Sequence, residues 1–266
     1  MTSARPAMAS GTLHTGPPTR AETLVAALAR EITDGDVIAT GVASFLPILA
    51  ITVARLTHAP NATYLACVGA LDPEIKRLAP SAESLRYLEG RRGNVSIAGL
   101  FDHACRGRID VMFFSAAEID SFGNTNMSST GSLTQPIYKF PGVAGAATLR
   151  RLVKRPILLV PRASRRNLVP RVQVASTRDR ARRTPLFTDL GVFEVGAAGA
   201  RLKQRHPWSE HASVVASTGF PFTTDRPLAI TPPPGAGELE AIRAIDADGI
   251  CERLVATPPT RARNQR

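Results

Sequence analysis

Two stretches of the chain carry residue types whose spacing could do chemistry. The first, Ala116-Ala-Glu-Ile-Asp-Ser-Phe-Gly-Asn-Thr-Asn126, sets Glu118, Asn124 and Asn126 about a Gly123 turn. Side-chain amides there can satisfy turn backbone or face a ligand, and Glu118 is a candidate base or nucleophile, with an ion-paired surface role as the plainer reading. The second is the loop Gly142-Val143-Ala144-Gly145-Ala146, which opens a helical pattern at Thr148–Val153. Backbone N–H groups at a helix start can hold an anion or a developing oxyanion. Arg150, Arg151 and Lys154 just beyond are placed to draw phosphate toward it.

Other reactive residues form no recognisable set. His103, His206 and His211 have no triad order with Ser and Asp, and His206, next to Pro207, reads as structural. Cys67, Cys105 and Cys251 are scattered, odd in number and without metal-ligand spacing, so they read as buried or indifferent thiols in a reducing cytoplasm, with no metal site.

The elements that must position these stretches are legible in the apolar pattern. Ala21–Ile32 has helical spacing and stops at Asp34-Gly35. Val37–Gly41 reads as a short buried strand, followed by a helix with Pro47 in its first turn that runs to His58. Ala62–Val68, Ile109–Phe114 and Pro156–Val160 are further buried strands, the last of parallel type. The text from Glu74 to Leu100 is charged and irregular, as a surface excursion would be, and Phe101–Gly107 looks helical. Arg162 to Arg183 lacks periodicity and reads as exposed. Leu186–Val195 and Ala200–Arg205 form a hairpin around Gly196–Gly199, and Glu238–Ile245 is a last amphipathic helix. Strands alternating with helices imply an α/β fold built on an open, mainly parallel sheet flanked by helices. Residues 1–20 read as a disordered tail, 21–254 as one domain and 255–266 as a flexible end.

The length of 266 residues suffices for one large core, and no apolar run is long enough to span a membrane. A formal net charge of +11 invites a nucleic-acid partner. Its excess sits largely in Arg150 to Arg183, without a nucleic-acid motif or exposed aromatics, so a solvated cationic surface is the better reading and nucleic acid is excluded as a partner.

With these motifs in hand, the chain resembles the β-subunit of family I CoA-transferases of the glutaconate type. The resemblance rests on Ala116–Asn126, on Phe140-Pro-Gly-Val-Ala-Gly-Ala146, on Thr188-Asp-Leu-Gly-Val-Phe-Glu194, and on His206-Pro and Ala216-Ser-Thr-Gly-Phe220, all in the family's order. It implies a CoA-transferase β-subunit-like fold, an α-subunit partner that completes the cleft, an acyl-CoA thioester as substrate and no separate cofactor. It implies further that Asn124, Asn126 and the Gly142–Ala146 loop line the substrate and CoA cleft. One departure stands out: anchored on Gly69-Ala70 and Pro73, the glutamate that carries CoA as a thioester in the family falls at Tyr64, and a phenol cannot replace it. The resemblance therefore admits three activities: a CoA-transferase-like heteromer, a CoA-thioester ring-opening hydrolase that uses an α-subunit carboxylate, or an inactive CoA-binding or scaffold subunit.

Overall fold

The computed structural model describes residues 16–179 and 182–255. Helix α1 (Arg20–Ala29) starts at Thr19, whose hydroxyl accepts from Glu22 N–H while the Glu22 carboxylate accepts from Thr19 N–H, a reciprocal cap that satisfies two orphan donors. The expected tail to residue 20 is thus ordered at its last residues, and residues 1–15 lie outside the described part. Strand β1 (Val37–Ala39), helix α2 (Phe45–Leu56) and strand β2 (Thr63–Ala66) follow, as the apolar pattern predicts. Short strands β3 (Ala70–Leu71) and β4 (Gly93–Asn94) add to β2.

The segment between them corrects the expectation of a surface excursion. Leu78, Ala79, Ala82 and Tyr87 are buried in the core, the Tyr87 hydroxyl accepting from Ala79 N–H at 2.9 Å. Helix α3 (Ile97–Cys105) then leads to β5 (Val111–Ser115). The first motif supplies a two-stranded ribbon, β6 (Glu118–Ile119) with β7 (Thr125–Asn126), and a second ribbon pairs β8 (Ser129–Gly131) with β9 (Pro136–Lys139). Helix α4 (Ala146–Leu152) and strand β10 (Arg155–Val160) complete the crossover from β5 to its parallel neighbour.

Residues 162–179 are not the exposed stretch expected from the sequence. Leu168, Val172, Thr177 and Asp179 are buried. Strands β11 (Thr184–Thr188), β12 (Gly191–Val195) and β13 (Ala200–Arg205) form the expected hairpin region, followed by α5 (His211–Ser217), β14 (Phe222–Ile230), α6 (Ala236–Ile245) and α7 (Ile250–Val255). The main sheet has the order β14-β13-β12-β11-β10-β5-β1-β2-β3-β4, parallel from β11 to β2.

Alternate residues of the parallel strands enter two cores. Ile38, Tyr64, Val111, Phe113 and Leu159 meet α1, α2, α6 and α7 on one face. Ala39, Leu65, Met112, Phe114 and Leu158 meet α3 and α4 on the other. Period-two side chains buried on both faces explain why these strands read as continuous apolar runs. Among the described residues, no helix is long and apolar enough to cross a membrane.

Candidate functional site

In an open parallel sheet the loops outside the carboxyl ends of the strands are where ligands bind. Here those loops are Thr40–Ser44 after β1, Cys67–Gly69 after β2 and Ser115–Ala117 after β5; α4, running back to β10, has its start at the same edge. Two unusual backbone positions fall there, Ala43 at φ 54° and Ala144 at φ 41°. A non-glycine residue in the left-handed region is strained, and such strain concentrates at functional loops.

The first motif is a buried polar strut. Asp120 Oδ1 accepts from the N–H groups of Phe122 (3.1 Å) and Asn124 (3.0 Å), and Oδ2 accepts from Asn124 Nδ2 at 2.9 Å. Asn126 is fully buried; its Nδ2 donates to Glu118 Oε2 (2.9 Å) and to the Ser129 carbonyl (2.7 Å), and its Oδ1 accepts from Ser128 N–H at 3.0 Å. Both asparagine side chains therefore brace the turn and the ribbon around it. Glu118 corrects the surface or ion-paired reading: it is 3 % exposed and accepts from Gln173 N–H (2.9 Å) and Gln173 Nε2 (2.7 Å) besides Asn126. A carboxylate held by three amide donors is a tie, not a free nucleophile.

Arg150 is likewise not the phosphate-attracting cation expected. Its side chain is fully buried, Nη1 donates to Thr177 Oγ1 at 2.7 Å, and Thr177 Oγ1 meets Thr125 Oγ1 at 2.7 Å. Burial lowers its pKa to about 10, opposed by the charges of Asp179 and Asp120. Gly123 leaves room for it, since a Cβ there would stand 3.3 Å from Arg150 Nη2 on a backbone at φ +73°. Lys154 is paired with Asp110 at 2.7 Å, so exposed Arg151 is the cation of the trio that best fits the expected role.

The second motif is open to solvent at Gly142 and Ala144. Two of its N–H groups are already engaged, Gly142 with the Met127 carbonyl (3.1 Å) and Ala146 with that of Val143 (2.9 Å). The remaining anion cradle is thus Val143 to Gly145, at the head of a helix of only 7 residues. Gly145 is packed hard: a Cβ would come within 2.5 Å of Phe101 Cζ on α3.

At the carboxyl ends of β1 and β2 lies a cluster that the sequence does not reveal. Tyr64 sits in mid-strand, 1 % exposed, its hydroxyl 2.9 Å from Thr40 Oγ1; burial drives its pKa far up, so the phenol keeps its proton. Half-buried Cys67 follows the last residue of β2 as Thr40 follows the last of β1. Burial raises the thiol pKa, the Glu83 carboxylate raises it further, and a hydrogen bond from Thr40 lowers it. Glu83 itself accepts from the N–H of strained Ala43. The signal available in sequence was positional: Thr40 and Cys67 each stand one residue beyond a buried parallel strand. Elsewhere, His206 is fully buried between Thr188 O (2.8 Å) and Thr231 Oγ1 (2.9 Å), a structural position as read from the sequence. Among the described residues, no group of three or more His, Cys, Asp or Glu could hold a metal ion.

The coenzyme A transferase family model matches residues 21–217. The chain belongs to this family. Among its relatives, one of the two chains that make up the 3-oxoadipate CoA-transferase of Pseudomonas knackmussii is 27 % identical over 243 residues, 85 % of this chain and 92 % of that protein. The crystal structure of the decarboxylase AibA/AibB superposes with a TM-score of 0.89 at 61 % identity, covering 90 % of this chain and 99 % of the other. Further structures of that decarboxylase have a cysteine replaced by alanine, valine, serine or asparagine. Glutaconate CoA-transferase from Acidaminococcus fermentans shares the fold, with a TM-score of 0.75 at 20 % identity over 91 % of this chain and 98 % of that one. Within this family member, the residue aligned with the glutamyl nucleophile is Tyr64, and its side chain points into the apolar core.

Proposed function

We propose that this chain is the β-type component of a two-chain enzyme of the CoA-transferase fold that decarboxylates a CoA thioester carrying a second carboxylate. The observation that carries the reading is the exchange at the end of β2: a buried Tyr64 where the resemblance implies a glutamate, and a half-buried thiol, Cys67, at the strand's carboxyl edge. The 61 % identical decarboxylase supports it. The cysteine replaced in its variants carries the number 56. Taking that cysteine to lie in the matching chain, and with about 10 % of this chain's 266 residues left outside the match, the equivalent position is at most about 27 residues further along; Cys67 is the cysteine in that span.

In such a reaction the bond from carbon to the carboxylate breaks, carbon dioxide leaves, and the electron pair passes into the conjugated thioester carbonyl. The enolate then takes a proton on carbon. A thiol with a raised pKa is protonated at neutral pH and suits that donation, after which water reprotonates the thiolate. CoA is placed at the Gly142–Ala146 loop, with Val143 to Gly145 offering N–H groups, Arg151 nearby, and Asn124 and Asn126 bracing the adjoining wall.

The test is co-expression with an α-type chain and incubation with mono-CoA thioesters of unsaturated dicarboxylic acids. Release of carbon dioxide together with the shortened acyl-CoA is expected, and Cys67→Ala is expected to lower kcat by about 10²-fold or more. Ala144→Glu, an exposed change, is expected to weaken CoA affinity by calorimetry. Transfer of CoA to a free acid without loss of carbon dioxide would replace this reading with that of an ordinary transferase.

A further inference from the structure

The buried hydroxyls next to Cys67 have no part in the chemistry described so far. Thr40 is fully buried and Tyr64 is 1 % exposed, so both hydroxyls must find partners inside the protein, and they find each other at 2.9 Å. The parallel register pairs Ala39 with Leu65, and Thr40 N–H donates to the Leu65 carbonyl at 3.3 Å. The strand ends are thereby locked side by side, which sets the Thr40 side chain between the phenol and the residue that follows Ala66.

We propose that Thr40 is a positioning residue for Cys67, with its hydroxyl directed at the sulfur by the Tyr64 phenol. The inference rests on the role given to Cys67 above and extends it to its neighbours. The direction of the chain follows from proton counting. Each hydroxyl has one hydrogen; if Thr40 gives its own to the sulfur, the 2.9 Å contact is filled by the phenol as donor and the Thr40 oxygen as acceptor. Tyr64 is fit for that duty because burial keeps it protonated far beyond neutrality. The position that carries a nucleophile in the family thus becomes the anchor of a two-step hydrogen-bond chain.

The same contact has a thermodynamic effect. A donor to sulfur favours the thiolate, so Thr40 opposes burial and the charge of Glu83, which both disfavour it. Arg55 and Tyr87 act on the phenol at longer range. The arrangement lets Cys67 give up its proton to substrate and still be held in one orientation.

The experiment reads the thiol directly. In the full chain, purified with its partner if they associate, the alkylation rate of Cys67 by iodoacetamide is followed from pH 7 to 11 by peptide mass spectrometry. Exposed Cys105 is replaced by serine to remove its background. Thr40→Val is expected to move the midpoint upward by about one unit, about tenfold slower labelling below it. Tyr64→Phe is expected to shift it in the same direction by less, and Thr40→Ser, which keeps the hydroxyl, to lie near the wild type. Superimposable profiles for Thr40→Val and Thr40→Ser in proteins of unchanged circular dichroism would overturn the proposal. Its failure is separable from that of the decarboxylase reading, since labelling needs no turnover: shifted profiles beside a fully active Cys67→Ala enzyme would sink the activity and leave the positioning intact.

Discussion

His206 shows how a single buried side chain writes a pH dependence into the fold. Burial lowers its pKa from 6.5 to about 4, against a smaller opposing effect of the Thr188 carbonyl. Between those values the unfolded chain binds a proton that the folded chain refuses, so stability is full above about pH 6.5 and falls as pH drops toward 4. The fully developed loss is on the order of 3 kcal/mol. Urea midpoints of the wild type and His206→Gln, whose amide can still donate to Thr188, should differ at pH 7 and converge near pH 4.5; parallel curves would refute the assignment. Glu118 gives a second residue-scale expectation. Its Oε2 accepts two donors and Oε1 one, so glutamine can keep the first two while the Gln173 amide turns over to meet the third. Glu118→Gln should cost about 1 kcal/mol or less and Glu118→Ala about 2–3 kcal/mol, because alanine strands buried donors. Chemical denaturation distinguishes the two.

At the scale of elements, the Gly142–Ala146 loop is fixed by what it packs on. Gly145→Val would drive a Cβ to 2.5 Å from the Phe101 ring, so it should lower Tm by several degrees by parting α3 from α4. Any loss of CoA affinity in that variant would be secondary, which is why exposed Ala144 is the better probe. Much of this level was legible in the chain itself. β1, β2, β5 and β10 are apolar runs because both their faces are covered, and the β12–β13 hairpin announced itself through Gly196 and Gly199. Other elements carried no such mark. Leu78, Ala79 and Tyr87 are core residues spaced without period among charges, and β14 mixes Asp225, Arg226 and Pro227 into a strand. Arg150 looked like part of a cationic surface, since its burial depends on Thr177 and Asp179, far along the chain. Cys67 read as an indifferent thiol because its meaning comes from Thr40 on the neighbouring strand.

Taken whole, the molecule presents a complete sheet with an incomplete catalytic edge. The glutamyl position is filled by Tyr64, Glu118 is tied by amides, and the described residues at the edge offer Cys67 with Glu83 beside it. The chain alone is therefore expected to be inactive and to co-elute with an α-type partner in size-exclusion chromatography; full activity of a homo-oligomer would contradict this. No glutamyl-CoA adduct is expected on this chain, so incubation with acyl-CoA and borohydride should leave its peptides unmodified, whereas a reduced Glu118 would restore ordinary transferase chemistry. The sheet's own borders carry one more consequence. β4 ends it with two residues, and β14 ends it with nine, lined by Arg201 and Lys203 pairing with Asp225 and interrupted by Pro227, which has no N–H to give. A border this short on one side and this charged and donor-poor on the other offers no template to a foreign strand. A ten-stranded sheet can thus remain in crowded solution without stacking edge to edge into aggregates.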